Sequence, residues 1–320
     1  MAELERPQGW TARERAVRIA GVVLLAILAL FAIRGLELAL VREALTRARP
    51  WPLVLAMLAN LAAVWAQSLR WHALVHPAAP QARPRDAFRA TITAFAVGLV
   101  MPARLADVAK VQLLSSRSGA SRAALAATVL LDTVVGVATL ILLLGLYGLV
   151  APLPAWARSA AFVALLVTAG SFAAVFILRP RQNGAVPTTG SFAAILVAKA
   201  RSGLLAAGRP RALVLSGLAG VAGWAMEVAI AILTLSAFGM PPTLHLGALV
   251  TLATTLSSAV SISPGNAGVF EASVVLALGG IGVSRELALA FALGYHAVHV
   301  VPVALAGGVF AVLATRGDRG

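Results

Sequence analysis

Ser261-Ile-Ser-Pro-Gly-Asn-Ala-Gly-Val-Phe-Glu271 lies deep inside an apolar region of the chain. Asp, Glu, Lys and Arg are absent from position 228 to position 270, although His245 falls within that run. Pro264 removes a backbone donor and Gly265 loosens the chain, so a helix must break there. Asn266 is read as the N-cap of a new helix, with Glu271 in its early turns. Inside a bilayer, broken backbone survives only when buried in protein or lining a wet cavity. A carboxylate beside such a break marks a candidate functional site. The predicted fold class is therefore an all-α integral membrane protein with an interrupted helix at its centre.

The same device occurs earlier. Val100-Met-Pro-Ala-Arg-Leu-Ala-Asp107 is again an apolar run, a proline, then a charged turn. Gly119-Ala-Ser-Arg122 follows Pro102 as Gly282-Val-Ser-Arg285 follows Pro264, and Trp65 precedes the first proline as Trp224 precedes the second. Matching landmarks in matching order predict an internal repeat, about 51–150 against about 210–315. Pro102, Pro264 and Gly265 are its expected hinges.

Sixty per cent of the residues are apolar and twelve per cent charged, with a mean hydropathy of +0.91. Soluble domains carry about 25% charged residues, so the composition is that of a membrane protein. The absence of cysteine excludes disulfides, thiol nucleophiles and thiolate metal sites. The net charge of +14 is spread over arginines between apolar runs. That pattern sets membrane topology and meets anionic lipid heads, so no nucleic-acid partner is expected.

Along the chain, residues 19–33, extendable to about 40, form a first span that is expected to be retained rather than cleaved. Residues 51–69 form a second, ending in Arg70-Trp71-His72, which reads as an interfacial aromatic-plus-charge signature. Residues 86–117 are expected to form a re-entrant helix pair bent at Pro102. Spans are expected at 121–149, interrupted by Asp132, at 159–178, and at 212–238 with Glu227 near its middle. Residues 179–209 are expected to be a cytoplasmic loop, with a surface helix at 192–205. Residues 243–280 form the expected second re-entrant pair, and 284–315 the last span. The expectation is one transmembrane domain over 1–320, with six crossings and two hairpins. If each hairpin enters and leaves on one side, one face collects 20 of the 26 lysines and arginines. The positive-inside rule makes that face, with both termini, cytoplasmic. The hairpins then open in opposite directions, an inverted-topology repeat of the kind transporters build around a midplane site.

The two broken stretches carry a resemblance. Met101-Pro-Ala-Arg-Leu-Ala-Asp107 and Pro264-Gly-Asn-Ala-Gly-Val-Phe-Glu271 resemble motifs of the flippase-like family, also called the lysylphosphatidylglycerol synthase transmembrane region. The resemblance covers nearly the whole chain and implies lipid handling. Ala106-Asp107 stands where the family often has Gly-Glu, and Asn266 replaces a glycine. Leu131-Asp132-Thr133 stands where Asp-Arg is expected, so an arginine partner for Asp132 is missing. The soluble aminoacyl-transfer domain of the synthases is not in this sequence, so lysyl-lipid synthesis is not expected.

Individual residues admit two readings. Arg104, Asp107 and Lys110 share one side of a helix, as an interfacial ion-pair ladder or as a phosphate cradle beside a helix N-terminus. Glu271 and Asn266 either stabilise the break or line a substrate site. Asp132, Glu227, His296 and His299 are either packed polar groups or a proton relay. His296 and His299 lack further ligands in any motif, so no metal is expected, and no cofactor is implied. Enzymatic activity is not indicated. The leading expectation is a lipid flippase or transporter of the bacterial cytoplasmic membrane, moving an anionic or polyprenyl- or hopanoid-type envelope lipid. The alternative is a non-transporting accessory protein that docks an envelope-lipid glycosyltransferase or synthase.

Overall fold

The computed structural model describes residues 37–101, 103–148, 155–177, 209–260 and 263–317, and helix is the sole regular structure among them. The helices are α1 (Leu38–Arg47), α2 (Pro50–Val75), α3 (Pro84–Gly98), α4 (Ala103–Ser118), α5 (Arg122–Gly148), α6 (Ala155–Ile177), α7 (Pro210–Ala237), α8 (Leu244–Val260), α9 (Val269–Gly279) and α10 (Arg285–Gly317). One 3-10 turn at Pro264–Asn266 separates α8 from α9. Proline opens α2, α3 and α7 in the first turn, where its missing N–H costs no helical bond.

Among the described residues, four helices are long and apolar enough to cross a membrane: Pro50–Val75, Arg122–Gly148, Pro210–Ala237 and Arg285–Phe310. Their large outward residues, such as Leu130 and Leu305, are exposed as lipid-facing side chains are. The protein is thus an all-helical, multi-span membrane protein. Up to residue 36 the expected first span lies outside the described residues, as do Pro102, the side chain of Arg104 and the loop through residue 208.

Helices α2 and α7 pack along each other at the centre. The contact is close because α7 turns Gly220 toward Arg70 of α2 and Gly223 toward Gln67 and Ala66 of α2. Small residues let backbones approach where no hydrophobic drive between helices exists. The remaining contacts pair off. Helix α2 touches α3, α5 and α10, while α7 touches α8, α10 and α5. Helix α3 packs on α4 and α10, while α8 packs on α9 and, through Leu252 and Leu144, on α5.

Pro302 sits inside α10 and cannot donate to the carbonyl one turn earlier. The carbonyl left over belongs to Val298. Asn60 of α2 fills the vacancy: its Nδ2 donates to Val298 O and His299 O, both at 3.1 Å. A polar residue 3% exposed in a membrane-spanning helix thus answers a proline in its neighbour.

One expectation is corrected here. Arg70-Trp71-His72 is not an interfacial belt, because α2 runs on to Val75 and the hairpin α3–α4 covers its end. Trp71 is fully buried, its indole N–H donates to Thr128 Oγ1 at 3.0 Å, and the Lys110 ammonium lies 4.2 Å from its ring centre.

Candidate functional site

The break between α8 and α9 is built from two consecutive left-handed residues, Gly265 (φ 60°) and Asn266 (φ 61°), with a third, Gly268 (φ 84°), just before α9. Glycine takes that conformation freely, and asparagine is among the few other residues that tolerate it. Asn266 is therefore not the N-cap of the new helix. That position falls to Gly268, whose N–H donates to Glu271 Oε2 at 2.7 Å, the carboxylate reaching back over the first turn. Asn266 instead donates to Ser257 Oγ at 3.2 Å and Ser258 Oγ at 3.0 Å, tying the break to the end of α8. Its Oδ1 is buried without a partner among the described residues.

The break touches the other interrupted segment. Gly265 lies against the backbone of Leu99 at the end of α3; a Cβ there would meet Leu99 O at 3.5 Å. Helix α10 clamps it from another side. His296 Nε2 contacts Gly265 O at 3.0 Å, and its Nδ1 contacts Glu271 Oε1.

Hydrogen counting constrains these groups. A carbonyl only accepts, so His296 must carry hydrogen on Nε2. The contact of Nδ1 with the carboxyl then needs one further proton, held by either partner. The same count applies one turn along α10. His299 Nδ1 donates to Tyr295 O at 2.9 Å, and its Nε2 faces Glu227 Oε2 at 3.1 Å. Gln67 of α2 donates to the other oxygen of Glu227 at 3.2 Å. Two carboxyl–imidazole pairs, each able to hold one exchangeable proton, therefore stand one turn apart beside the break. Phe270 packs against both rings, with centroids 4.6 Å from His296 and 6.0 Å from His299.

Asp132 belongs to a third group. Arg70 Nε and Nη2 donate to its two oxygens at 2.7 and 3.2 Å, and Lys110 Nζ lies 3.5 Å from Oδ2. All three side chains are nearly enclosed, at 14%, 8% and 7% exposed for Arg70, Lys110 and Asp132. The expectation that Asp132 lacks an arginine is thus overturned: the partner comes from α2, not from the residue following Asp132. Arg70 is threaded between glycines. A Cβ on Gly136 would lie 2.8 Å from its Nη1, and one on Gly220 would lie 3.3 Å from its Cδ.

Two polar chambers meet between these groups. The first, about 370 Å³, is lined by Arg70, Gly136, Trp224, Thr254, Glu227 and His299 among others. The second, about 450 Å³, is lined by Asp107, Asn266, Asn60, His296, Glu227 and His299 among others. Gln67, Glu227, Ser258, Phe270 and His299 line both, so the Glu227–His299 pair is the wall they share. The first chamber carries a guanidinium. The second carries acceptors, Asp107, Glu227 and the unpaired Asn266 Oδ1, and no lysine or arginine among its described lining residues.

The sequence-predicted residues thus separate. Asn266, Asp107, Glu227, His296 and His299 come together around the chambers. Glu271 is not in the lining and reaches the second chamber through His296. Lys110 is turned inward onto Asp132 and Trp71, while the side chain of Arg104 lies outside the described residues. Asp132 stands behind Arg70. Gln67 and Asn60 were not singled out by sequence reasoning, and Arg70 was read only as part of an interfacial signature. All three lie on α2, where they could have been found as polar residues spaced 60, 67, 70 along a single membrane-crossing helix.

A family model described as "Lysylphosphatidylglycerol synthase TM region" matches residues 18–307 of this chain. No curated protein and no solved structure matches it.

Proposed function

The chain belongs to the Lysylphosphatidylglycerol synthase TM region family, a membrane family tied to envelope-lipid handling, and from that premise we propose that it translocates an envelope lipid across the bacterial cytoplasmic membrane. One observation carries the reading: two polar chambers meet at the Glu227–His299 pair, between helices of both halves of the chain. A purely structural bundle has no use for so many polar side chains gathered there, because each polar group in a bilayer costs free energy unless satisfied.

In this reading the two halves are an inverted-topology repeat, α2–α5 against α7–α10. The matching helix neighbours of the two halves support it, as does the contact between Leu99 and Gly265. The segments α3–α4 and α8–α9 are re-entrant hairpins that meet at Leu99 and Gly265, and the substrate head group passes beside them. Arg70 takes the phosphate or other anion in the first chamber. Asp107 and Asn266 accept hydrogens from hydroxyl or amine groups in the second. Arg104 steers anionic lipids from the cytoplasmic side. The carboxyl–imidazole pairs exchange protons with the passing head group. When His296 loses its shared proton, its hold on Glu271 weakens, and the break is freed to rock about Pro264 and Gly265.

The test is a flipping assay in proteoliposomes with fluorescent phosphatidylglycerol, a polyprenyl phosphate and a hopanoid. Wild-type protein is expected to accelerate at least one of them, and Glu271→Gln to abolish that acceleration while retaining thermal stability, because the amide keeps an acceptor for Gly268. Protein-free rates for all three lipids would remove the transport reading and leave the accessory-protein reading in its place.

A further inference from the structure

A third cavity, about 450 Å³, adjoins the first polar chamber and has a different character. Its walls are Leu140, Leu143 and Leu144 of α5, Val228 and Ile232 of α7, and Leu252 of α8. Trp224 and Thr251 line both this slot and the first polar chamber, so the two spaces adjoin at those residues. Trp224 is fixed in place by its own bond: the indole N–H donates to Gly136 O at 2.9 Å. At the far end of the slot Tyr147 of α5 meets His245 of α8. Between Trp224 and Ile232 the slot runs about 12 Å along α7, at 1.5 Å per residue. Leu146 and Leu244 also line it and are 53% and 57% exposed, so it opens sideways to the bilayer.

We infer that this slot holds one hydrocarbon chain of a lipid whose head group sits in the adjoining polar chamber. The inference rests on the lipid-transport reading above and adds the part of the substrate that reading leaves undefined. Water is a poor occupant, since it needs two to four polar partners and the middle of the slot offers none. Left empty, the lining leucines would forfeit their dispersion contacts. Hydrocarbon gains little by moving from bilayer to slot, because both are apolar. The chain enters because it is tethered to a head group that Arg70 attracts. The slot therefore selects by chain shape: Trp224 and Thr251 mark where head must become tail. The lipid is held with its chain end toward the Tyr147–His245 contact and its head toward the centre of the bundle.

Photo-crosslinking reads occupancy without requiring transport. Two phosphatidylglycerols are used, one with a diazirine at the end of an acyl chain and one with it beside the glycerol. The chain-end probe is expected to label peptides containing Leu143–Tyr147 or Leu244–Ala248, and the glycerol probe to label around Trp224 and Thr251. Ala229→Phe and Ala248→Phe, which fill the slot from α7 and from α8, are each expected to cut chain-end labelling there at least fivefold. Labelling of the exposed face of α6 is expected to stay unchanged, as contact with the surrounding bilayer. Two variants guard against one that fails to fold. Chain-end labelling spread evenly over α6 and the slot, or indifferent to both variants, overturns the inference. Slot labelling without any flipping of the unmodified lipid upholds the slot and sinks transport. Flipping without slot labelling does the reverse.

Discussion

Asp132 is the residue whose environment is most exacting. It is one carboxylate between two cations, and all three groups are largely shielded from water. Taking such charges out of water is costly, and only their mutual attraction offsets it. Removing the anion alone therefore leaves Arg70 and Lys110 buried and repelling. Asp132→Ala is expected to destabilise the protein by about 3–5 kcal/mol, the usual effect of breaking a buried pair. The triple variant Arg70→Met, Lys110→Met, Asp132→Leu removes all the charges together and is expected to lose less stability than the single one. Thermal unfolding in detergent compares them, and a single variant as stable as wild type would show that the cluster is not held by charge. The triple variant should still lose anionic-lipid transport, since Arg70 is the guanidinium lining the first chamber.

Elements meet closely where one of them lacks a side chain. Gly307 of α10 faces the hairpin helix α3: a Cβ there would come 2.5 Å from Ala96 Cβ and 2.9 Å from Ile92 O. The next residue, Gly308, has nothing within 4 Å of such an atom. Gly307→Ala must push α3 away from α10 and is expected to cost about 1–3 kcal/mol. Gly308→Ala is expected to be neutral or to gain up to about 1 kcal/mol from helix propensity. Equal melting temperatures for the two variants would contradict this packing. The elements themselves were legible in the sequence because their signals are local. Pro264 and Gly265 break a helix wherever the tertiary structure places them, and prolines open α2, α3 and α7 in their own first turns. The partners were not legible. Arg70 finds Asp132 across 62 residues, and Gln67 finds Glu227 across 160. Nothing near either residue encodes those distances. Trp71 misled because tryptophan beside arginine reads as a membrane interface, whereas the hairpin α3–α4 and Lys110 enclose it.

Across the whole molecule, the direction in which each helix crosses can be reasoned from which ends touch. Arg49 N–H donates to Ala237 O at 2.9 Å, joining the start of α2 to the end of α7. Tyr147 meets His245, joining the end of α5 to the start of α8. Gln81 Nε2 donates to Ser118 O at 2.6 Å, joining the two outer ends of the hairpin α3–α4. Ends in contact must share a face of the membrane. The first two contacts then place the start of α2 with the end of α7, and the end of α5 with the start of α8. If α2, α5, α7 and α10 each cross once, the 76–121 region lies on one face and the 238–284 region on the other. The basic residues assign the faces: Arg83, Arg85, Arg89, Arg104, Arg117 and Arg122 fall within or at the edge of the first region, while the second has Arg285 at its edge and shares its face with Arg42, Arg47 and Arg49 before α2. The first face is therefore expected to be cytoplasmic. The chain has no cysteine, so single cysteines report cleanly. In intact cells a membrane-impermeant maleimide is expected to label Ser284→Cys and Pro242→Cys and to leave Ser116→Cys unlabelled until the membrane is opened. All three native positions are described and exposed, so a failure to react reports sidedness rather than burial. Labelling of Ser116→Cys together with Ser284→Cys would put both hairpins on one face. That outcome would rule out opposed hairpins, and with them a mechanism in which two inverted halves rock about a shared site.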